Sequence, residues 1–161
     1  MARSILAVVA GYATLCLLIF VTFTALYLVL GADRSFESGS YDASALWVAT
    51  SFPLGVAASV AAGYVCAAAA RGGRAPQVLA GVVLVLGLLF AIPVLRASGT
   101  PTPARAGDVS NMEAMQSARQ PNWVALVNPF VGAAGVLVGA GLRRRRRRGA
   151  DGRERRPAAA I

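Results

Sequence analysis

The chain has no histidine, no lysine and, across four long stretches, no side chain that is charged at pH 7. Without histidine, imidazole ligation of haem and histidine-based acid–base catalysis are excluded. Residues 4–30, 43–70, 76–95 and 122–142 contain no Asp, Glu, Lys or Arg. Charges buried in a membrane are the usual mark of proton relays and ion pathways, so their absence argues against both. Cysteine is scarce, with Cys16 and Cys66 alone. Cys16 falls in mid-stretch and Cys66 near the end of the next, so their depths differ and a disulfide is not expected. No CxxC spacing accompanies them, and both read as small hydrophobes.

In place of chemistry the chain has apolar length. Its hydrophobic share is 57%, with mean hydropathy +0.60, against about 45–50% in soluble domains. Each of the four stretches approaches or exceeds the roughly 20 residues that a helix needs to cross a bilayer. The expectation is an all-α, four-helix transmembrane bundle over residues 1–142, followed by an unstructured basic tail over 143–161. The positive start at Arg3 suggests a secretion signal, but the apolar run after it is far longer than the 7–15 residues of a signal core. The first helix is therefore read as a retained span.

The net charge of +9 is unevenly placed. Arg3, Arg71, Arg74, Arg143 to Arg148, Arg153, Arg155 and Arg156 share one side with Asp151 and Glu154. Arg34, Arg96, Arg105 and Arg119 share the other with Asp33, Glu37, Asp42, Asp108 and Glu113. Arginine-rich short loops stay cytoplasmic, which places both termini inside and the first and third loops outside. Arginine without lysine, in an Ala-, Gly- and Val-rich background, fits a high-GC bacterial genome and hence a bacterial plasma membrane.

A shift of 76 residues aligns the second helix with the fourth. Trp47-Val48-Ala49 falls on Trp123-Val124-Ala125, Pro53 on Pro129, Ala57-Ala58 on Ala133-Ala134, Val60 on Val136 and Gly63 on Gly139. The chain has only two Trp, and each precedes a Pro at the same spacing. The first and third helices add Val9 with Val85 and Gly11 with Gly87. The pattern predicts a duplicated helical hairpin with parallel pseudo-two-fold symmetry about the membrane normal. Pro53 and Pro129 each remove a helix hydrogen bond and are expected to kink their helices. Gly55, Ser59, Gly63 and Ala67 form one face of the second helix, and Gly135 and Gly139 a GxxxG in the fourth. Such faces are expected to pack helix on helix. A dimerisation surface is the alternative use.

Polar residues within the stretches are few. Ser51, Tyr64 and Asn128 are the candidates for a polar path. A continuous path between them would favour transport, and a solid apolar core would count against it. In the third loop, Ser110-Asn111-Met112-Glu113 has the form of a capping box. It predicts a short surface helix over 111–120, with Met112 and Met115 resting on lipid. Those two methionines alone, without His or Cys, do not make a metal site. The arginines Arg143, Arg144, Arg145, Arg146, Arg147 and Arg148 are expected to contact anionic lipid headgroups. The tail lacks the stacking aromatics of a nucleic-acid binder, so no nucleic-acid partner is expected.

The transmembrane region resembles small bacterial four-helix inner-membrane proteins whose second helix ends in a Gly-Tyr stretch before a basic loop, here Gly63-Tyr64 through Arg71. Their fourth helix ends in glycines before arginine. The resemblance implies a fold and no activity. Small multidrug transporters are similar only in helix number, because the membrane-embedded Glu of their first helix has no counterpart. The expected function is a structural or accessory membrane protein acting through a protein partner or as a homo-oligomer. The alternative is a passive or oligomeric transporter or channel. No catalytic or metal constellation is visible, so no enzyme activity and no cofactor are expected.

Overall fold

The computed structural model describes residues 2–70, 72–97, 99–100, 104–105, 107 and 109–154. Arg71, Asp108, the stretch 101–103 and the tail beyond residue 154 lie outside the described residues, with the expectations attached to them. Six helices are described: α1 (Ala2–Leu30), α2 (Ala32–Ser35), α3 (Ala45–Ala70), α4 (Ala75–Arg96), α5 (Asn111–Ser117) and α6 (Asn122–Glu154). Among the described residues the only β structure is three isolated bridges. Helices α1, α3, α4 and α6 are long and apolar enough to cross a membrane. The shortest, α4, has 22 residues and is about 33 Å long, against a hydrocarbon core of about 30 Å.

The helix ends follow from local chemistry. Gly31 ends α1 with a φ of 71°, a left-handed conformation that glycine adopts at little cost. Gly72 and Gly73, with φ of 130° and 87°, make the tight turn between α3 and α4. Pro76 then sits in the first turn of α4, where its missing N–H is no loss. Pro53 and Pro129 stand well inside α3 and α6. Each therefore leaves one carbonyl, that of Ala49 or Ala125, without its helix donor.

One expectation is corrected at the end of α6. The tail was expected to be unstructured from residue 143, yet the helix runs through the arginines to Glu154. Arginine is a good helix former and its charge suits a helix C-terminus, so repulsion along the run does not stop the helix. The Arg143 guanidinium lies 5.7 Å from the centre of the Tyr64 ring, and Arg144 donates to the Gly73 carbonyl at 3.2 Å.

Inside the bundle, α3 and α6 form the central pair, α1 packs on α3, and α4 on α6. A Cβ placed on Gly63 would fall on the Val136 carbonyl, and one on Gly139 on the Val60 carbonyl. One on Gly135 would fall on the Ser59 hydroxyl. The two crossings are reciprocal: Val136 is the 76-shifted equivalent of Val60, and Gly139 of Gly63. Backbone meets backbone here, as small-residue packing in lipid allows.

Two expectations are not met, one for the packed face and one for the repeat. Gly55 was assigned to the packed face, but a Cβ there would meet nothing within 4 Å. It lines an open cavity instead. Gly11 and Gly87 were paired by the shift, but Gly11 abuts Leu79 and Cys66 while Gly87 abuts Pro129. The cause is loop length. The connection between α4 and α6, residues 97–121, is longer than that between α1 and α3, residues 31–44, by roughly three helical turns. The alignment of α3 with α6 survives that insertion, and the alignment of α1 with α4 does not.

The core is built mostly from small side chains. Ala7, Ala58, Ala62, Cys66, Ala75, Ala80 and Ala140 are buried, whereas Ile5, Leu6, Leu17, Leu28 and Phe90 face outward. Lipid is as apolar as leucine, so close approach of backbones decides which residues turn inward.

Candidate functional site

A cavity of about 510 Å³ occupies the half of the bundle that faces the two long loops. Its walls come from all four long helices: Leu15 to Tyr27 of α1, Trp47 to Ser59 of α3, Val83 to Val94 of α4 and Val124 to Gly132 of α6. Helices α1 and α4 meet at Gly11 and Leu79, and nearer the loops the cavity lies between them.

The cavity has a roof, which sequence reasoning missed. Helix α5 lies across its mouth and contributes Asn111, Ala114 and Met115 to the lining. The Ser110 side chain accepts from the Glu113 N–H at 3.2 Å, so the predicted N-cap forms. The other half of the predicted box does not. Glu113 accepts instead from the Tyr41 hydroxyl, 2.6 Å away in the other loop. The helix ends at Ser117, short of the expected Gln120, and Met115 faces the cavity as well as the outside.

Three further ties lock the two loops together. The Tyr27 hydroxyl donates to the Val109 carbonyl at 2.7 Å. The Ala43 and Arg119 amides donate to the carbonyls of Arg119 and Tyr41, at 2.8 and 2.9 Å. Arg105 pairs with Asp33 at 2.8 Å. Beneath these ties Tyr27, Ala32, Phe36, Tyr41 and Ala114 form their own apolar cluster. Its rings meet edge to face, with Phe36 and Tyr41 centred 5.7 Å apart, a favourable arrangement for aromatic pairs. Opposite charges in different loops, Asp33 with Arg105, were the one sequence signal that could have announced the roof.

The hydrogen bond to the Glu113 carboxylate holds the Tyr41 phenol above its ordinary value of 10.0, with burial adding to the effect. The folded value is raised, so the tie is intact below pH 10 and is lost as pH climbs through the raised value. Hydrogen exchange of the Ala43 and Arg119 amides is expected to stay slow through neutral pH and to quicken above pH 10. Equal exchange at pH 8 and pH 11, after correction for the intrinsic rate, would show that this bond does not hold the roof.

Polar groups gather near the mouth. Ser51 and Asn128 both line the cavity, four and five residues past Trp47 and Trp123. The Ser51 hydroxyl has only a long contact, 3.5 Å, to the Val48 carbonyl. The Asn128 amide makes no hydrogen bond among the described residues. Ser35, which sequence reasoning did not single out, is 1% exposed, lines the cavity and has an unpartnered hydroxyl. Ser59 sits deeper and donates to the Val56 carbonyl at 2.8 Å.

Tyr64 is not brought to this site. Between the cavity and the arginine-bearing end of the bundle lie Ala62, Cys66, Leu79 and Val136, each 0% exposed. Ser51 and Asn128 share the cavity, and no polar side chain continues from them through that apolar layer. At the opposite end of the bundle, Gly72, Gly73, Arg143, Arg144 and Arg147 line a second, shallower pocket of about 420 Å³. Among the described residues no group of three His, Cys, Asp or Glu side chains could hold a metal ion.

Comparison with family models, with curated proteins and with solved structures returns no match to this chain. The four long apolar helices make it a multi-pass membrane protein.

Proposed function

We propose that the chain is a non-enzymatic accessory protein of a bacterial plasma membrane, acting through a membrane-resident partner, with both termini cytoplasmic. The observation that carries this reading is the closed apolar layer of Ala62, Cys66, Leu79 and Val136. An ion or polar solute entering the loop-side cavity meets that layer with no polar group to replace its water, at a cost of several kcal/mol per unsatisfied group. A passive pore would need the layer to open, and the glycine crossings on either side hold it shut. The orientation rests on the arginine asymmetry, which sets topology through short loops. The arginines Arg143 to Arg148 then lie on the cytoplasmic face, where each gains about 1 kcal/mol from anionic headgroups.

The test is reconstitution in anionic liposomes together with mild-detergent affinity purification. Potassium, proton and small-solute flux are expected to equal that of empty liposomes, and a membrane protein is expected to co-purify in fixed ratio. Reporter fusions after Ile161 and within residues 98–119 are expected to mark opposite sides of the membrane. Flux that scales with protein content and falls in Asn128→Leu would overturn the accessory reading in favour of a pore.

A further inference from the structure

We propose that the roofed cavity binds one acyl chain of an ester-linked glycerolipid from the leaflet on the loop side. The chain would lie along α1 and its ester would sit against Ser35 and Asn128. This rests on the membrane placement of the four helices and is independent of the accessory role. It also holds whichever way the protein faces.

The polarity of the cavity runs in one direction. Asn128 lies about 7 Å deeper than Trp123, and Ser51 about 6 Å deeper than Trp47, at 1.5 Å per residue. Tryptophan marks the headgroup level, so these groups lie where ester carbonyls meet hydrocarbon. Below them the lining is Leu15, Ile19, Val56, Val83 and Gly87, with the Ser59 hydroxyl already satisfied. A single polar linkage followed by a long apolar tail matches that gradient.

Size and access narrow the occupant. From Leu15 to Tyr27 the cavity follows α1 for about 18 Å, close to the 15 Å or so of one hydrocarbon leaflet. Water is a poor filling, because a buried water needs two to four polar partners and the deep part has none to spare. Entry is lateral. Phe20 of α1 and Phe90 of α4 both line the cavity and stand 53% and 69% exposed, flanking a gap open to lipid, while the loop roof covers the aqueous side.

The orphaned polar groups give the argument its chemistry. The Ser35 hydroxyl is buried without a partner, and so costly unless something accepts from it. An ester linkage accepts hydrogen bonds and donates none, which suits the buried Ser35 O–H and the exposed Asn128 amide N–H that both line the cavity.

The test uses native mass spectrometry of the full chain released from nanodiscs of a single ester-linked phospholipid. One lipid per chain is expected to survive activation that strips all others. Asn128→Leu is expected to lower that retention about tenfold, the scale of one net hydrogen bond. Gly55→Phe places a ring in the cavity at a position where a Cβ meets nothing, and is expected to abolish retention while circular dichroism stays helical. A diether lipid of equal chain length is expected to be held as weakly as in Asn128→Leu, and the retained mass distinguishes phospholipid from free fatty acid. If Gly55→Phe proves unstable, a diazirine-bearing acyl chain in wild-type nanodiscs is expected to label Ile19, Val56 or Val83 ahead of Leu6 and Leu28. Retention unchanged in Gly55→Phe, labelling confined to Leu6 and Leu28, or a wild-type chain that holds no lipid would each overturn the proposal.

Discussion

Gly63→Leu is expected to prevent stable assembly of the bundle, and Gly139→Leu to do the same. At either position the first side-chain carbon already falls on a carbonyl of the facing helix. Backbone cannot swing aside as a flexible side chain can, so α3 and α6 must separate along their whole crossing. Overpacking commonly costs about 1–3 kcal/mol, and a backbone clash belongs at or above the top of that range. Thermal unfolding in detergent checks the size of the effect. Gly55→Leu is the control, because it adds the same side chain to the same helix in open space. A loss of stability no greater in Gly63→Leu than in Gly55→Leu would mean that the crossing is not where the bundle is held. If the hairpins descend from one ancestor, the two glycine variants should also match each other closely, since their contacts are reciprocal.

Leu79→Ala is the second large effect. Leu79 is among the largest fully buried side chains, and it fills the space between Gly11 of α1 and Cys66 of α3. Truncation removes the contacts of three carbons and leaves a void that neighbouring alanines are too short to fill, at a cost of about 2–5 kcal/mol in comparable cores. Part of that cost includes a hydrophobic term that lipid does not supply, so the lower half of the range is expected here. A paired measurement sharpens the test. A Cβ on Gly11 would lie 2.6 Å from the Leu79 side chain, so Gly11→Ala should destabilise the wild type and be tolerated better beside Leu79→Ala. Additive losses in the double variant would show that the two residues do not share that space.

The four long helices were legible because a stretch free of charge and long enough to cross a bilayer has few other fates. Gly63 and Gly139 were legible for a different reason: the chain has only two Trp, so a Trp-to-Pro spacing shared by both carried information that alanine and valine matches could not. Gly55 obeyed the same four-residue spacing yet faces a cavity, because spacing fixes which face a residue occupies and not where the neighbouring helix stops. The pairing of Gly11 with Gly87 failed since one loop is longer, and a uniform shift cannot represent an insertion. The place of Ser35 and the tie between Tyr41 and Glu113 were not legible because the roof depends on contacts between loops some 70 residues apart in sequence. The helix through Arg143 to Arg148 was missed by weighing the charge of the run above its helix propensity.

That continuous last helix also acts as a ruler. Asn128 and Arg143 belong to one rod, fifteen residues apart, which is about 22 Å of helix. With the arginine collar among headgroups as proposed, on one face of a 30 Å core, Asn128 would stand about 8 Å below the opposite boundary by helix geometry alone. Adding or removing one turn between Leu142 and Arg143 would move the collar by about 5.4 Å relative to the cavity without touching a residue that lines it. On that proposal the charge array would set the depth at which the cavity meets the membrane, from the far side of the bilayer.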